Sequence, residues 1–436
     1  MTVFQDPQLF LWALAVASIC GVSCAVVGCF LVLKRMSLMG DAINHGLLPG
    51  IVLAVLVSGK LTSFYLLLGA VFFGLLTAFL SQTLHSWGNV DENSSLGIVF
   101  TSLFALGVFL ISMYFRHGDL DTDCVFLGHL EHVAINLSQA NTWSDYDVLW
   151  TQLPALLLTL TFTILAWKEM KIAVFDPALA TALGYRAMLL HYVLIGLVAG
   201  VTVVSFEAVG SILVLAMLIV PAATALLLTD RLASMFLLAA FSALISALAG
   251  CWSGQVLDVN YAGMMAVAAG AQFAVVVLVA PKHGILAKIW HNLQLGLRMA
   301  GEDVLSALYR AEESGQAPAT SPAALTQPEH GFSPLMVRFA LKRLVHKGWI
   351  ARRETTASWQ LTEAGRGRAR DIVRAHRLWE AFLGENFALP IDHLHGPASV
   401  MEHFLGPELQ NQIAAELQEP NRDPHGRTIP KDGPAG

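Results

Sequence analysis

The chain has 436 residues, 55% of them hydrophobic and 13% charged, with a formal net charge of −6. Soluble domains carry about 25% charged residues, so the composition does not fit an ordinary cytosolic enzyme. Residues 1–300 hold 26 charged side chains and residues 301–436 hold 32, roughly 9% against roughly 24%, which reads as a membrane part followed by a water-soluble part.

Crossing a hydrocarbon core roughly 30 Å thick takes a helix of about 18 or more apolar residues. Such segments lie near 8–33, 40–58, 61–84, 94–115, 148–167, 188–205, 208–229, 231–252 and 258–281. The first is too long and too apolar for a cleaved signal peptide. The second opens on Asp41 and contains Asn44, His45 and Pro49, which makes it the weakest. The expectation is nine spans, or eight without that one. The five cysteines form no CxxC pair, and four of them sit inside apolar runs, so no disulfide framework is expected.

Lys and Arg in short loops set orientation. One set of alternate loops carries Lys34, Arg35, Lys168, Lys171, Arg186, Arg231, Lys282 and Lys288, and the other only Lys60 and Arg116. The first set belongs in the cytoplasm, and the C-terminal part with it. Nine spans then put the N-terminus outside. The longest external segment, about 116–147, carries His117, Asp119, Asp121, Asp123, His129, Glu131 and His132. It is either a solvated connector or a surface that meets a cation.

Ionisable groups inside a span are costly and face a partner, a cavity or a pathway. Asp41 and His45 stand one helical turn apart on one face. A carboxylate with an imidazole is a partial ligand set for a first-row divalent metal, to be completed by a second subunit across a two-fold axis. The same pair also serves as a hydrogen bond that fixes helix packing. Glu207, in SFEAVG, lies near the midplane or in an external turn. Between two spans, FDPALATALGY (175–185) has Asp176 and Pro177 as a helix start, Ala178, Leu179 and Ala180 in its body, Leu183 near its end and Gly184 as its stop. A two-turn cytoplasmic helix of this kind suits contact with an ATPase, or lies idle on the surface. The chain has no GxxxxGK[ST] sequence, so no phosphate-cradling loop is expected in it.

The blocks SLMGDAINHGLLPGI (37–51), ENSSLGIVFTSLFALGVFL (92–110), DPALATALGY (176–185) and FEAVGSILVLAMLIVPAATALLLTDRL (206–232) resemble the metal-uptake ABC permeases for manganese, zinc and iron (the ABC-3 family), in block order over about 5–285. The resemblance implies an all-α polytopic domain, 1–290, with the ABC importer permease fold and eight or nine transmembrane helices in the bacterial inner membrane. It implies a second permease subunit, identical or a paralogue, separate ABC ATPase subunits, and an external metal-binding protein. It also implies a translocation path lined by Asp41 and His45 and a divalent metal as substrate.

In the remainder, 297–318 reads as an amphipathic helix, and 317–328 is rich in Pro, Ala and Thr. SPLMVRFALKRLVHKGWI (333–350) starts with a Ser cap and carries Arg338, Lys342, Arg343 and Lys347. A short hairpin or wing follows at 351–362. Residues 330–377 hold eleven Lys and Arg against three acids, a layout for DNA contact that equally suits an anionic leaflet or a protein partner. Further on, His376 and Glu380 are one turn apart, and the spacing of His395, Ser399, Glu402 and His403 puts them on one face of the next helix.

These stretches resemble the iron- and manganese-dependent repressors, with a winged-helix domain at 297–365 and a metal-binding, dimerising helical domain at 366–436. The resemblance implies one metal position at Asp303, Glu402 and His403 and a neighbouring one at His376, Glu380 and His395, for regulatory manganese or iron. Ser399 departs from the Cys or carboxylate of that family. The expected function is a permease subunit of an ATP-driven divalent-metal importer, not itself an enzyme, with a repressor-like cytoplasmic domain. The alternatives are a membrane-tethered metal-sensing regulator with vestigial transport and a proton-coupled carrier.

Overall fold

The computed structural model describes residues 7–58, 63–114, 130–139, 146–315, 332–353, 358–387 and 389–431. It forms two compact units, Met1–Ala287 and Lys288–Gly436.

Among the described residues of the first unit, eight helical segments are long and apolar enough to cross a membrane. They are Pro7–Leu33, Ser37–Val57, Asn93–Tyr114, Asp147–Leu165, Ala187–Phe206, Ser211–Leu228, Leu232–Leu257 and Tyr261–Val279. The remaining expected segment, 61–84, falls in the 26-residue helix Ser63–Gly88. The Asp41 segment is helical, in two pieces that meet at Leu47, Ser37–Gly46 and Leu48–Ser58. Pro49 has no N–H for the His45 carbonyl, which weakens the helix at that joint.

Helix Pro7–Leu33 is the hub, with residues from Cys20 to Leu31 largely buried. Apolar burial drives little association between helices in lipid, so close backbone packing carries it. At Gly28 any Cβ would stand 1.7 Å from the Leu218 carbonyl oxygen, so only glycine permits that approach. On the outside, Ile164, Leu165 and Leu237 are more than 70% exposed, which suits lipid and not water. Cys20, Cys24, Cys29 and Cys251 are buried and free.

Part of the segment expected as an external connector is a short helix, Leu130–Ser138, whose Leu130, Ala134 and Leu137 are buried. Its Glu131 accepts a hydrogen bond from the Tyr261 backbone N–H, so this acid caps a span. Residues His117, Asp119, Asp121, Asp123 and His129 lie outside the described residues. After Trp167–Phe175 comes the expected short helix, Pro177–Ala182. Asp176 Oδ1 accepts the Leu179 N–H at 2.9 Å, and Gly184 ends the turn at φ +87°.

The helix expected from 297 is longer, running Ile285–Glu313. Then come Pro334–His346, capped by Ser333, and an antiparallel hairpin pairing Ile350 with Leu361 and Arg352 with Trp359. The Pro-rich stretch 317–328 lies outside the described residues. Helix Glu363–Asn386 follows, then His395–Met401 and Pro407–Glu416.

Among its described residues the soluble unit has two small cores. One gathers Val304, Leu305, Leu308, Val337, Leu341, Leu344, Ile350 and Leu361. The other gathers Leu378, Leu405, Ile413, Leu417 and Ile429. Helix Glu363–Asn386 contributes Ile372 to the first and Ala375 to the second. His376 and Glu380 lie on it beside that junction.

Candidate metal centre

Two neighbouring donor groups, with a third beside them, meet among the described residues of the soluble unit. Asp303, Glu402 and His403 form one, and His376, Glu380 and His395 the other; within each, the ligand atoms lie within 4.8 Å of one another. These are the residues the sequence singled out. Asp303 comes from the long helix Ile285–Glu313, His376 and Glu380 from Glu363–Asn386, and His395 from the start of His395–Met401. That last helix ends at Met401, so Glu402 and His403 sit in the turn after it, not on its face.

His376 joins the two groups. Its Nδ1 lies 2.6 Å from Glu402 Oε2, and its Nε2 lies 3.0 Å from both Glu380 Oε1 and His395 Nδ1. His403 Nε2 lies 3.2 Å from Asp303 Oδ1. Ser399, buried beside them, donates to the Gly396 carbonyl at 2.8 Å.

Burial alone would lower the His403 pKa, but bonds to Asp303 and Glu302 push it up to about 9. Burial would raise that of Glu302, yet His403 and Arg368 hold it down to about 2. Burial likewise opposes protonation of His376, and Glu380 and Glu402 overcome it, so its pKa rises. A cation and these protons are drawn by the same carboxylates.

The donors fit a first-row divalent metal, which takes imidazole nitrogen and carboxylate oxygen together. Glu402 Oε1 supports the fit: it is buried with no hydrogen-bond partner among the described residues.

Sequence reasoning missed the surrounding shell. Glu302 Oε2 lies 2.9 Å from His403 Nδ1 and its Oε1 accepts from Arg368 at 2.7 Å and Arg298 at 3.2 Å. Arg310 reaches Glu402. A third group joins Glu380 to Asp423 and His425, the last two from the closing stretch DPHGRTIP (423–430). His425 Nδ1 lies 3.4 Å from Glu380 Oε2. Its signal was a histidine between Pro424 and Gly426 with an acid two residues before it.

In the membrane unit, Asp41 Oδ1 and His45 Nε2 are 3.4 Å apart and both side chains are half-buried. The His45 ring stacks on Phe100 at 5.8 Å and meets Phe104 edge-on at 5.5 Å. Asn44 Nδ2 donates to the Ser211 carbonyl at 3.4 Å. Phe206 and Ser211, flanking the helix corner at Gly210 (φ +80°), line a cavity of about 20 Å³ with Asn44 and His45. A void of that size holds about one water. Glu207 belongs to the last turn of Ala187–Val209, and its side chain lies outside the description.

Arg338, Lys342, Arg343 and Lys347 are exposed, as are Leu335 and Phe339 on the same helix. Other members of the basic block are structural. Buried Arg377 binds Glu313 and the Thr428 carbonyl, and Arg374 binds the Pro430 carbonyl.

Residues 6–280, well over half of the chain, match the model of the ABC 3 transport family. The chain belongs to that family. Residues 362–431 match the iron dependent repressor metal binding and dimerisation domain, so this ABC 3 member is a fusion of permease and repressor-like parts. It is 42% identical to the manganese transport system membrane protein MntD of Bacillus subtilis, over 66% of this chain and 98% of the relative. It is 40% identical to the zinc transport system membrane protein TroD of Treponema pallidum, over 62% of this chain and 74% of the relative. Among solved structures, PsaBC of Streptococcus pneumoniae bound to a Fab is 30% identical with a TM-score of 0.55, covering 64% of this chain and 94% of that one.

Proposed function

We propose that this chain is the permease subunit of an ATP-driven importer of divalent transition metal, whether manganese, zinc or iron, with a metal-responsive domain in the cytoplasm. The observation that carries the reading is the half-buried Asp41–His45 pair in a membrane fold related to manganese and zinc transport proteins. An oxygen and a nitrogen donor side by side replace part of a cation's hydration shell. A second permease subunit supplies the matching pair.

The bias of Lys and Arg supports a cytoplasmic C-terminus, and nine spans in the inner membrane then put the N-terminus outside, eight inside. Metal arrives from an external binding protein. The energy comes from nucleotide hydrolysed on separate ATPase subunits, which press on Pro177–Ala182 through exposed Leu179 and Leu183. Glu207 is a further pathway residue.

In the soluble unit, Asp303, Glu402 and His403 hold one regulatory manganese or iron, and His376, Glu380 and His395 a neighbouring one. The bound cation supplies the positive charge that these carboxylates otherwise draw from protonated histidines. Arg338, Lys342, Arg343 and Lys347 are the DNA-contact candidates.

The buried donor groups also favour a second reading, a membrane-tethered metal sensor without transport. Co-expression with the ATPase and binding protein separates the two. Co-purification of the ATPase together with ATP-dependent metal accumulation is expected for an importer. A chain that binds metal and operator DNA yet neither recruits an ATPase nor moves metal would be the sensor.

A further inference from the structure

The last span, Tyr261–Val279, leaves its bundle through a tight turn in which the Gly284 N–H bonds the Ala280 carbonyl at 3.0 Å. Within that turn Lys282 Nζ reaches Asp230 Oδ2 at 2.6 Å, and His283 Nε2 lies 3.0 Å from Asp230 Oδ1. Asp230 stands between the end of Ser211–Leu228 and the start of Leu232–Leu257. The clamp therefore fixes the exit of the last span level with the ends of two other spans. Charged and imidazole groups are costly inside hydrocarbon, so such a cluster is expected at its polar edge.

Two residues beyond the clamp, at Ile285, the 29-residue helix Ile285–Glu313 begins. Its first turns carry large apolar side chains that are exposed among the described residues. Ile285, Leu286, Ile289, Trp290 and Leu293 are between 45% and 63% exposed. At 3.6 residues per turn these five fall within an arc of roughly 140°, while Lys288, His291, Asn292 and Gln294 fill the opposite side. An apolar arc containing a tryptophan, opposite a polar face bearing a lysine, is the pattern of a helix lying in the headgroup region. Trp concentrates at membrane–water boundaries for the same reason.

We propose that residues 285–293 form an interfacial helix, whose apolar arc is seated in the phospholipid leaflet at which the last span exits. Continuity with that span and the Asp230 clamp identify the occupant as lipid. The helix begins at the polar edge of the bilayer with an uncovered apolar face. Lys282 and Lys288 meet the anionic headgroups on either side of its start.

The test uses the full chain in vesicles of phosphatidylcholine with a minority of phosphatidylglycerol. Single cysteines replace Lys288, Ile289, Asn292 or Leu293 in a Cys124→Ser parent, whose other cysteines are buried. The parent labelled without an added cysteine gives the background. An environment-sensitive fluorophore at each site is then challenged with aqueous iodide and with spin-labelled lipid. Sites 289 and 293 are expected to be several-fold less open to iodide than 288 and 292, and to be quenched by the lipid probe. Equal iodide access on both faces would overturn the proposal. So would 289 and 293 shielded from both quenchers, which would mean that a protein surface, from a second copy or an ATPase, covers the arc.

Discussion

His403 is held on its far side by Glu302. Glu302 Oε2 lies 2.9 Å from Nδ1 of the ring, and this leaves Nε2 facing Asp303. A carboxylate behind a ligating imidazole fixes the tautomer and orientation of the ring, and loss of such a partner weakens metal affinity about 10–100-fold. Glu302→Gln in the full chain is expected to weaken Mn(II) binding by that order while leaving the fold intact. Titration of free Mn(II) by electron paramagnetic resonance checks it, in an Asp41→Ala, His45→Ala background that removes the membrane pair. Unchanged affinity would mean that His403 is not a ligand.

The same contact sets a pH dependence. The folded-state pKa of His403 stands at about 9, above its ordinary 6.5. Its bonds to Asp303 and Glu302 therefore stabilise the metal-free unit fully below pH 6.5, and that contribution is lost as pH rises through about 9. Glu302, depressed from 4.5 to about 2, contributes above pH 4.5 and loses its contribution as pH falls through about 2. A metal bound through His403 must displace its proton. Mn(II) affinity is expected to climb between pH 6.5 and 9 by about tenfold per unit for each proton released, then level off. A flat profile would remove His403 from the site.

Packing around the hub helix gives a sharper contrast. Gly28→Val drives a side chain into the Leu218 backbone, whereas among the described residues nothing lies within 4 Å of a Cβ at Gly97. The first substitution is expected to abolish a monodisperse, thermally stable protein in detergent. Gly97→Ala is expected to leave the melting temperature within the scatter of wild type.

At Pro177–Ala182, Asp176→Ala removes the side-chain cap on the Leu179 N–H, a loss of about 1 kcal/mol of helix stability. Leu179→Glu leaves the helix but alters its exposed face. Both variants are expected to lower ATP-dependent uptake, and Leu179→Glu also to lower ATPase co-purification. Retention of both would make this an idle surface helix.

The sequence was most informative where chemistry repeats along one element. Apolar length located the spans, Asp176-Pro177 and Gly184 bounded the short helix, and i, i+4 spacing paired Asp41 with His45 and His376 with Glu380. It was least informative where partners are distant in the chain. Glu302 meets His403 across 101 positions, and Glu131 meets the start of Tyr261–Val279 across 130. No periodicity signals either contact. Basic residues were overread as surface for a related reason: a guanidinium such as that of Arg377 is buried by a carboxylate and a carbonyl that fold in from elsewhere.

Metal uptake by cells expressing the complete transporter, with Mn, Zn and Fe in competition, decides whether Asp41 and His45 line the path. Wild type is compared with Asp41→Ala and His45→Ala. Both variants are expected to insert, to hold their ATPase and to lose uptake of the metal that wild type imports. Undiminished uptake by both would contradict a role in the path and return the pair to helix packing.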